Sequence, residues 1–202
     1  MNALPGPSQF LRLVLGVLLA VSATLLLCWL AVGPRLPIRI VPSAVPDGLH
    51  PAALKALERL DLLDRVTQTI GDIPESGGTH AVDGVMNGQP YCAATDLYAA
   101  DLSPDDARGL LERLGEAGFA AWYRKPGSDH WPASEGLHIH AVFAGCPMKV
   151  SLRNQIHDYL KGRNGLRSHA QYGFFQPGLA ARSAVRALFC KVNECRVPIR
   201  PA

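Results

Sequence analysis

The segment Trp131–Gly145, WPASEGLHIHAVFAG, constrains the fold more than any other stretch of the chain. Leu137, Ile139, Ala141 and Phe143 alternate with His138, His140 and Val142. A period of two is the side-chain alternation of a β-strand, so the pattern predicts a strand with both histidines on one face. Glu135 stands three residues before His138 in an E-x-x-H spacing. Two imidazoles on one face and a carboxylate just ahead of them can hold a metal and set a base beside it. The competing reading is two polar residues on a solvated strand face.

The chain has 202 residues, which suits one domain plus a tail. A net charge of +3 is too mild to argue for nucleic acid, and no Lys/Arg block or basic face interleaved with aromatics occurs. The 19 glycines and 16 prolines favour a loop-rich domain over a helical bundle. Residues 1–12 form a short N-terminal segment whose only charged side chain is Arg12; Leu13 to Val32 then runs without a charge. About 20 residues at ~1.5 Å each reach ~30 Å, the thickness of a hydrocarbon core, so 13–32 reads as a transmembrane anchor. A cleaved signal has a shorter apolar region, and Pro34 directly after Ala31-Val32-Gly33 disfavours cutting there. Leu25-Leu26-Leu27-Cys28 is a poor lipoprotein box because Leu27 is bulky. Residues 33–50, with Pro34, Pro37, Pro42 and Pro46, read as an extended linker, and 51–202 as the folded domain.

Within that domain, Leu54, Leu57, Leu60 and Leu63 mark an amphipathic helix opening at Pro51. Residues 71–79 read as a loop. His80 to Ala99 reads as short strands around a Gly-rich hairpin, signalled by Asp83-Gly84 and Asn87-Gly88. Ser103-Pro104-Asp105-Asp106 opens a second helix, with Ser103 as N-cap and acids in the first turn. That helix stops near Ala117-Gly118, and Phe119 to Tyr123 resumes as a strand. Further helices are expected over 151–163 and about 179–190. The fold class that follows is α+β: a small, mainly antiparallel sheet with helices packed on one face and a metal at the sheet's edge.

Four of the cysteines, Cys92, Cys146, Cys190 and Cys195, follow the apolar run. An even count there fits disulfides in an oxidising compartment. Cys190 and Cys195 can close a small loop; Cys92 and Cys146 either pair or sit as small buried thiols. No C-x-x-C pair exists, which argues against a four-thiolate zinc site.

A hydrolytic metal centre needs about three protein ligands and a nearby carboxylate. The candidates are His80, Asp83, Asp96, Glu135, His138 and His140, with His130, His157 and His169 as outsiders. Asp96 interrupts a small, apolar strand, so it is either bound to something or faces solvent. Tyr91, Trp122, Tyr123 and Trp131 either wall a pocket or belong to the core.

The order of these parts is His80 after a Gly-rich loop, Ala94-Thr95-Asp96, Gly118-Phe119, Trp122, then Glu135-Gly136-Leu137-His138-Ile139-His140. Over about residues 75–150 this order resembles the zinc D-Ala-D-Ala carboxypeptidase and dipeptidase group, which shares its fold with the hedgehog signalling domain. The resemblance implies Zn2+ held by His80, Asp96 and His138, with Glu135 as the base. It places His140 beside the ligands or in the substrate pocket, where Arg124 and Trp131 are further candidates. The family's usual motif has its histidine seven residues before the aspartate, where this chain has Gln89. A hairpin inserted between His80 and Asp96 restores the geometry; otherwise Asp83 replaces Asp96 or the site is incomplete.

The implied activity is amide hydrolysis on cell-wall (peptidoglycan) peptides by a membrane-anchored, periplasmic carboxypeptidase or endopeptidase. A cation gripping a free carboxylate is expected, from Arg124, Arg153 or Arg65. Two other readings remain: a non-catalytic module binding cell-wall peptide or a partner protein through the same groove, and an HNH-like nuclease. The nuclease reading lacks both a basic surface and a following Asn–His helix pattern.

Overall fold

The structure is a computed structural model, and it describes residues 47–71 and 78–193. The proposed anchor at 13–32 and most of the Pro-rich linker lie outside the described residues, and so does most of the 71–79 loop. Among the described residues no helix is long and apolar enough to cross a membrane.

The domain is α+β with a small antiparallel sheet. Helix α1 spans Pro51–Arg59, followed by a 3-10 turn at Leu63–Arg65 and strand β1 at Val66–Gln68. Strands β2 (Gly84–Met86), β3 (Gln89–Tyr91) and β4 (Ala94–Tyr98) come next, then α2 (Pro104–Glu116). The chain continues through β5 (Phe119–Arg124), β6 (His138–Phe143), α3 (Val150–Leu160) and α4 (Leu179–Val192). The main sheet has the order β1-β4-β6-β5, every neighbour antiparallel, while β2 and β3 form a separate hairpin.

Local chemistry accounts for most of these boundaries. His50 caps α1, its Nδ1 accepting from the Ala52 amide, with Pro51 in the first turn. The Leu63 end expected for this helix breaks off earlier, because Asp61 takes a positive φ of 59°. Ser103 caps α2 by accepting from the Asp106 amide, as its sequence predicts. Leu110, Leu111 and Leu114 of α2 are buried, each worth roughly 1.5–3 kcal/mol if fully withdrawn from water. The β2–β3 turn is Asn87-Gly88, with φ of 51° and 79°; two positive φ angles are what a tight hairpin turn needs.

Every residue of β5 is buried, and so is all of β6 after His138. Alternating side chains point to opposite faces, so both faces of these strands are covered, and the expectation of helices on one face describes only part of the coverage. Helix α3 lies over the histidine face: Gln155 reaches His140, and Tyr159 meets the Trp122 ring edge-on at 5.9 Å. Of the two alternatives for Cys92 and Cys146, the structure has the second: both are buried free thiols, pushed up to about 12 by burial. Cys190 is disulfide-bonded, and Cys195 lies outside the described residues.

Candidate metal centre

The site is built on β4 and β6, the two central strands of the sheet rather than its edge. In their register Asp96 stands directly opposite His140, and His140 stands opposite Trp122 on β5. His138, two residues earlier, is opposite Tyr98 and Arg124. Directly opposed side chains have Cβ atoms about 4.5–5.5 Å apart, and diagonal neighbours are farther. The register therefore brings His140 onto Asp96 and leaves His138 one step away.

The distances follow that order. His140 Nδ1 lies 2.8 Å from Asp96 Oδ1, and His138 Nε2 lies 3.8 Å from the same oxygen. His80 arrives from the turn before the β2–β3 hairpin and puts Nε2 3.2 Å from Asp96 Oδ2. The β2–β3 hairpin occupies the chain between His80 and Asp96. His80, Asp96 and His140 are all buried, and one candidate ligand atom from each lies within 4.8 Å of the others. Two bonds of about 2.0–2.2 Å to one ion span a similar distance. The group most compact around Asp96 thus includes His140, where the sequence reading had placed His138; His138 stands at the rim.

The far side of each imidazole decides what faces Asp96. His80 Nδ1–H donates to the Thr69 carbonyl at 2.8 Å, and His138 Nδ1–H donates to the Gly136 carbonyl at 3.0 Å. His140 Nε2–H donates to Gln155 Oε1 at 3.0 Å. A neutral imidazole has one N–H and one lone pair. The inner nitrogens, His140 Nδ1 and His80 Nε2, lie 2.8 and 3.2 Å from the Asp96 carboxylate oxygens, and each such contact is attractive when a proton or a metal cation lies between nitrogen and oxygen. Burial lowers the pKa of His140 against the pull of Asp96. Burial alone would raise the Asp96 carboxyl, but the His140 and His80 rings outweigh it and hold it well below the usual carboxylate range. The His–Asp–His group can hold a metal ion. Outward hydrogen bonds of this kind also fix the tautomer and ring orientation of metal-binding histidines.

The other expected residues are placed as follows. Glu135 is half-buried in the loop before β6, its amide donating to the Pro132 carbonyl at 3.2 Å. Among the described residues its carboxylate makes no hydrogen bond or ion pair. Trp131 meets His138 edge-on at 5.3 Å, and its Nε1–H donates to the Gly136 carbonyl. Arg124 is 3% exposed, and burial pushes its guanidinium down to about 10. Its Cζ lies 5.3 Å from the Trp122 ring and 5.5 Å from the Trp131 ring. Asp83 does not replace Asp96: its carboxylate is bonded to backbone amides and Lys149. The outsiders stay outside, His157 against Phe189 and His169 on Asp158, with His130 in the loop after Asp129 at a φ of 65°.

Sequence reasoning missed Thr69 and Gln155, the acceptors behind His80 and His140. Thr69 acts through its backbone, which no side-chain pattern reveals, and Gln155 is an unremarkable polar residue on α3. Gly165 also contributes: its φ is +65°, and a Cβ there would lie 2.7 Å from the Trp122 ring, so only glycine lets this loop close over the indole. Cavities of about 500 Å³ beside α1 and β3 and about 340 Å³ beside Tyr123 do not include the Asp96 group.

Comparison with protein-family models, curated proteins and solved structures returns no match. The functional reading therefore rests on the geometry of the site itself.

Proposed function

We propose that this chain is a zinc-dependent peptidase, tethered by residues 13–32 on the outer side of a membrane and acting on peptides of the cell wall. The observation that carries the reading is the buried group of His80, Asp96 and His140, whose candidate ligand atoms lie within 4.8 Å of one another, with the far nitrogens of the two rings held by Thr69 and Gln155. The order of motifs, which resembles the D-Ala-D-Ala carboxypeptidase group, supports the choice of amide hydrolysis. His80, Asp96 and His140 would hold the ion, with His138 beside it. A bound zinc ion supplies Lewis acidity and makes a ligated water more acidic. Glu135, with no competing partner, takes a proton from the attacking water. As the carbonyl carbon–nitrogen bond breaks, Glu135 returns that proton to the leaving amine.

Metal analysis of the purified protein and turnover of cell-wall peptides test this reading. Glu135→Gln should keep the wild-type metal content and lose about 10²–10⁴-fold in kcat, the range for a general base. Wild-type protein that binds no divalent metal would end the proposal. A second reading, a non-catalytic peptide- or protein-binding module, draws on the absence of any Glu135 carboxylate contact to the Asp96 group. It predicts metal binding without turnover and no effect of Glu135→Gln on ligand affinity.

A further inference from the structure

The net charge of +3 conceals how the charges of this chain are divided. Residues 150–193 carry seven Lys/Arg and one acid, Asp158, which is buried and held by His169. The cations form no block in the sequence; the packing of α3 beside α4 assembles them. The two helices run in opposite senses. Gln176, before α4, donates to the carbonyl of Gly162, after α3, at 3.2 Å. At the other end Asn193 donates to the Cys146 carbonyl at 3.3 Å. Between these ties the His157 ring meets Phe189 edge-on at 5.2 Å.

Arg153, His157 and the α3 cap Lys161 follow one another at four-residue steps, and on α4 Arg182 and Arg186 do the same. Residues four apart share a helix face, so each helix shows a basic stripe. His157, Lys161 and Arg186 are exposed, while Arg153 and Arg182 are half-buried. Among the described residues none of the four Lys/Arg in these stripes forms an ion pair.

Their placement works against the helices that carry them. Arg153 and Arg182 are each the fourth residue of their helix, and neither helix has an acid in its first turn. Cations at a helix N-terminus oppose the macrodipole, and like charges four residues apart repel. An anionic partner meeting both stripes from outside would reverse that cost. Exposed aliphatics flank the stripes: Val150 opens α3, Leu179 opens α4 and Val192 closes it, at 59, 83 and 38% exposure. A dissolved polyanion leaves such side chains in water. A bilayer surface takes both kinds of group, phosphates on the cations and aliphatic carbons among the headgroups.

We infer that the α3–α4 face docks on a membrane surface rich in anionic lipid. The metal group is not part of this contact. Gln155, which reaches His140, stands two residues from both Arg153 and His157, on the opposite side of α3.

The test holds the full chain in small phosphatidylcholine nanodiscs and co-sediments it with large vesicles, so that binding reports the folded domain rather than residues 13–32. Vesicles with about 30% phosphatidylglycerol should bind about 100-fold more tightly than phosphatidylcholine vesicles, at roughly 5-fold for each of three cations near the surface. The difference should shrink at roughly 0.5 M salt, where screening is short-ranged. Joint replacement Arg153→Gln, Arg182→Gln and Arg186→Gln should remove about 100-fold of the affinity. The same loss of charge at the exposed Lys55, Arg59 and Lys125, as Lys55→Gln, Arg59→Gln and Lys125→Gln, should leave binding unchanged. Arg186→Gln alone should weaken binding about 5-fold and covers the case in which the triple variant does not fold. Leu179→Ser should weaken vesicle binding about 10-fold at constant charge. Equal binding of the two vesicle types, equal losses in the two triple variants, or wild-type binding by Leu179→Ser overturns the inference. So does saturable binding of duplex DNA by a chain that leaves the anionic vesicles unbound.

Discussion

Asp83 and Asp96 are two withdrawn carboxylates in one small domain, and their surroundings differ in kind. The Asp83 side chain is 0% exposed, and every contact it makes is with a donor. It accepts from the Ala93 amide at 2.8 Å, the Lys149 amide at 2.8 Å and Lys149 Nζ at 3.1 Å. These bonds tie the β3–β4 connection to the start of α3, and they leave the carboxylate nothing to offer a ligand. Asp96 is surrounded instead by the imidazoles of His80, His138 and His140, whose nitrogens lie 3.2, 3.8 and 2.8 Å from its oxygens. One aspartate is tied to backbone amides and a lysine; the other belongs to a group that can hold a metal ion. Burial alone does not distinguish a structural acid from a ligand. The chemistry of its neighbours does.

The comparison can be broken first at Asp83. Asp83→Asn removes the counter-charge of Lys149 and turns an amide N–H toward backbone donors, so chemical denaturation should show a loss of about 3–5 kcal/mol, as for a broken buried ion pair. Its zinc affinity, measured by calorimetry on the folded fraction, should stay near wild type. Asp96→Asn should do the reverse. An asparagine amide keeps both a donor and an acceptor within reach of His140 and His80, so metal-free stability should change by less than about 1 kcal/mol, the net worth of one hydrogen bond. Zinc affinity should fall more than 100-fold, beyond the ~10–100-fold typical for losing a residue behind a ligand. If Asp96→Asn destabilises the metal-free protein as much as Asp83→Asn, the two sites are alike and the metal reading fails.

A finer test removes only the support. Gln155→Leu leaves His140 in place but frees its outward N–H, and zinc affinity should drop about 10–100-fold with stability little changed. The smallest effect is one of pH. Burial depresses His140 from its ordinary 6.5, so the unfolded chain binds more protons than the native one just below that value. The stability this contributes is fully present above pH 6.5 and is lost as the pH falls toward the native value. The melting temperature of metal-free protein should accordingly decline on acidification below pH 6.5, and His140→Gln should flatten that decline. A flat profile in the wild type would place the proton of His140 elsewhere.

Much of the frame was legible before any coordinates. The alternation around His138 and His140 gave a strand with both rings on one face, and Ser103-Pro104-Asp105-Asp106 gave a helix start at the right place. Both are local: a period of two and a cap are written within a few residues. The strand at Val66–Gln68 was not legible, because three residues carry too little pattern to rise above the loop around them. The hairpin between His80 and Asp96 was legible because Asn87-Gly88 announces its own turn.

The choice between His138 and His140 shows where sequence stops. Both satisfy every local criterion, and alternation puts them on the same face. Which one meets Asp96 is set by the register of β4 against β6, a relation between segments more than 40 residues apart. The acceptors behind the rings, Thr69 and Gln155, and the enclosure of Arg124 by Trp122 and Trp131 have the same origin. The amino-acid order by itself determined the strands, caps and turns, because these depend on steric and hydrogen-bonding preferences of neighbouring residues. Only the tertiary structure decided which imidazoles meet which carboxylate, because that depends on how distant strands align and on what each imidazole finds behind it.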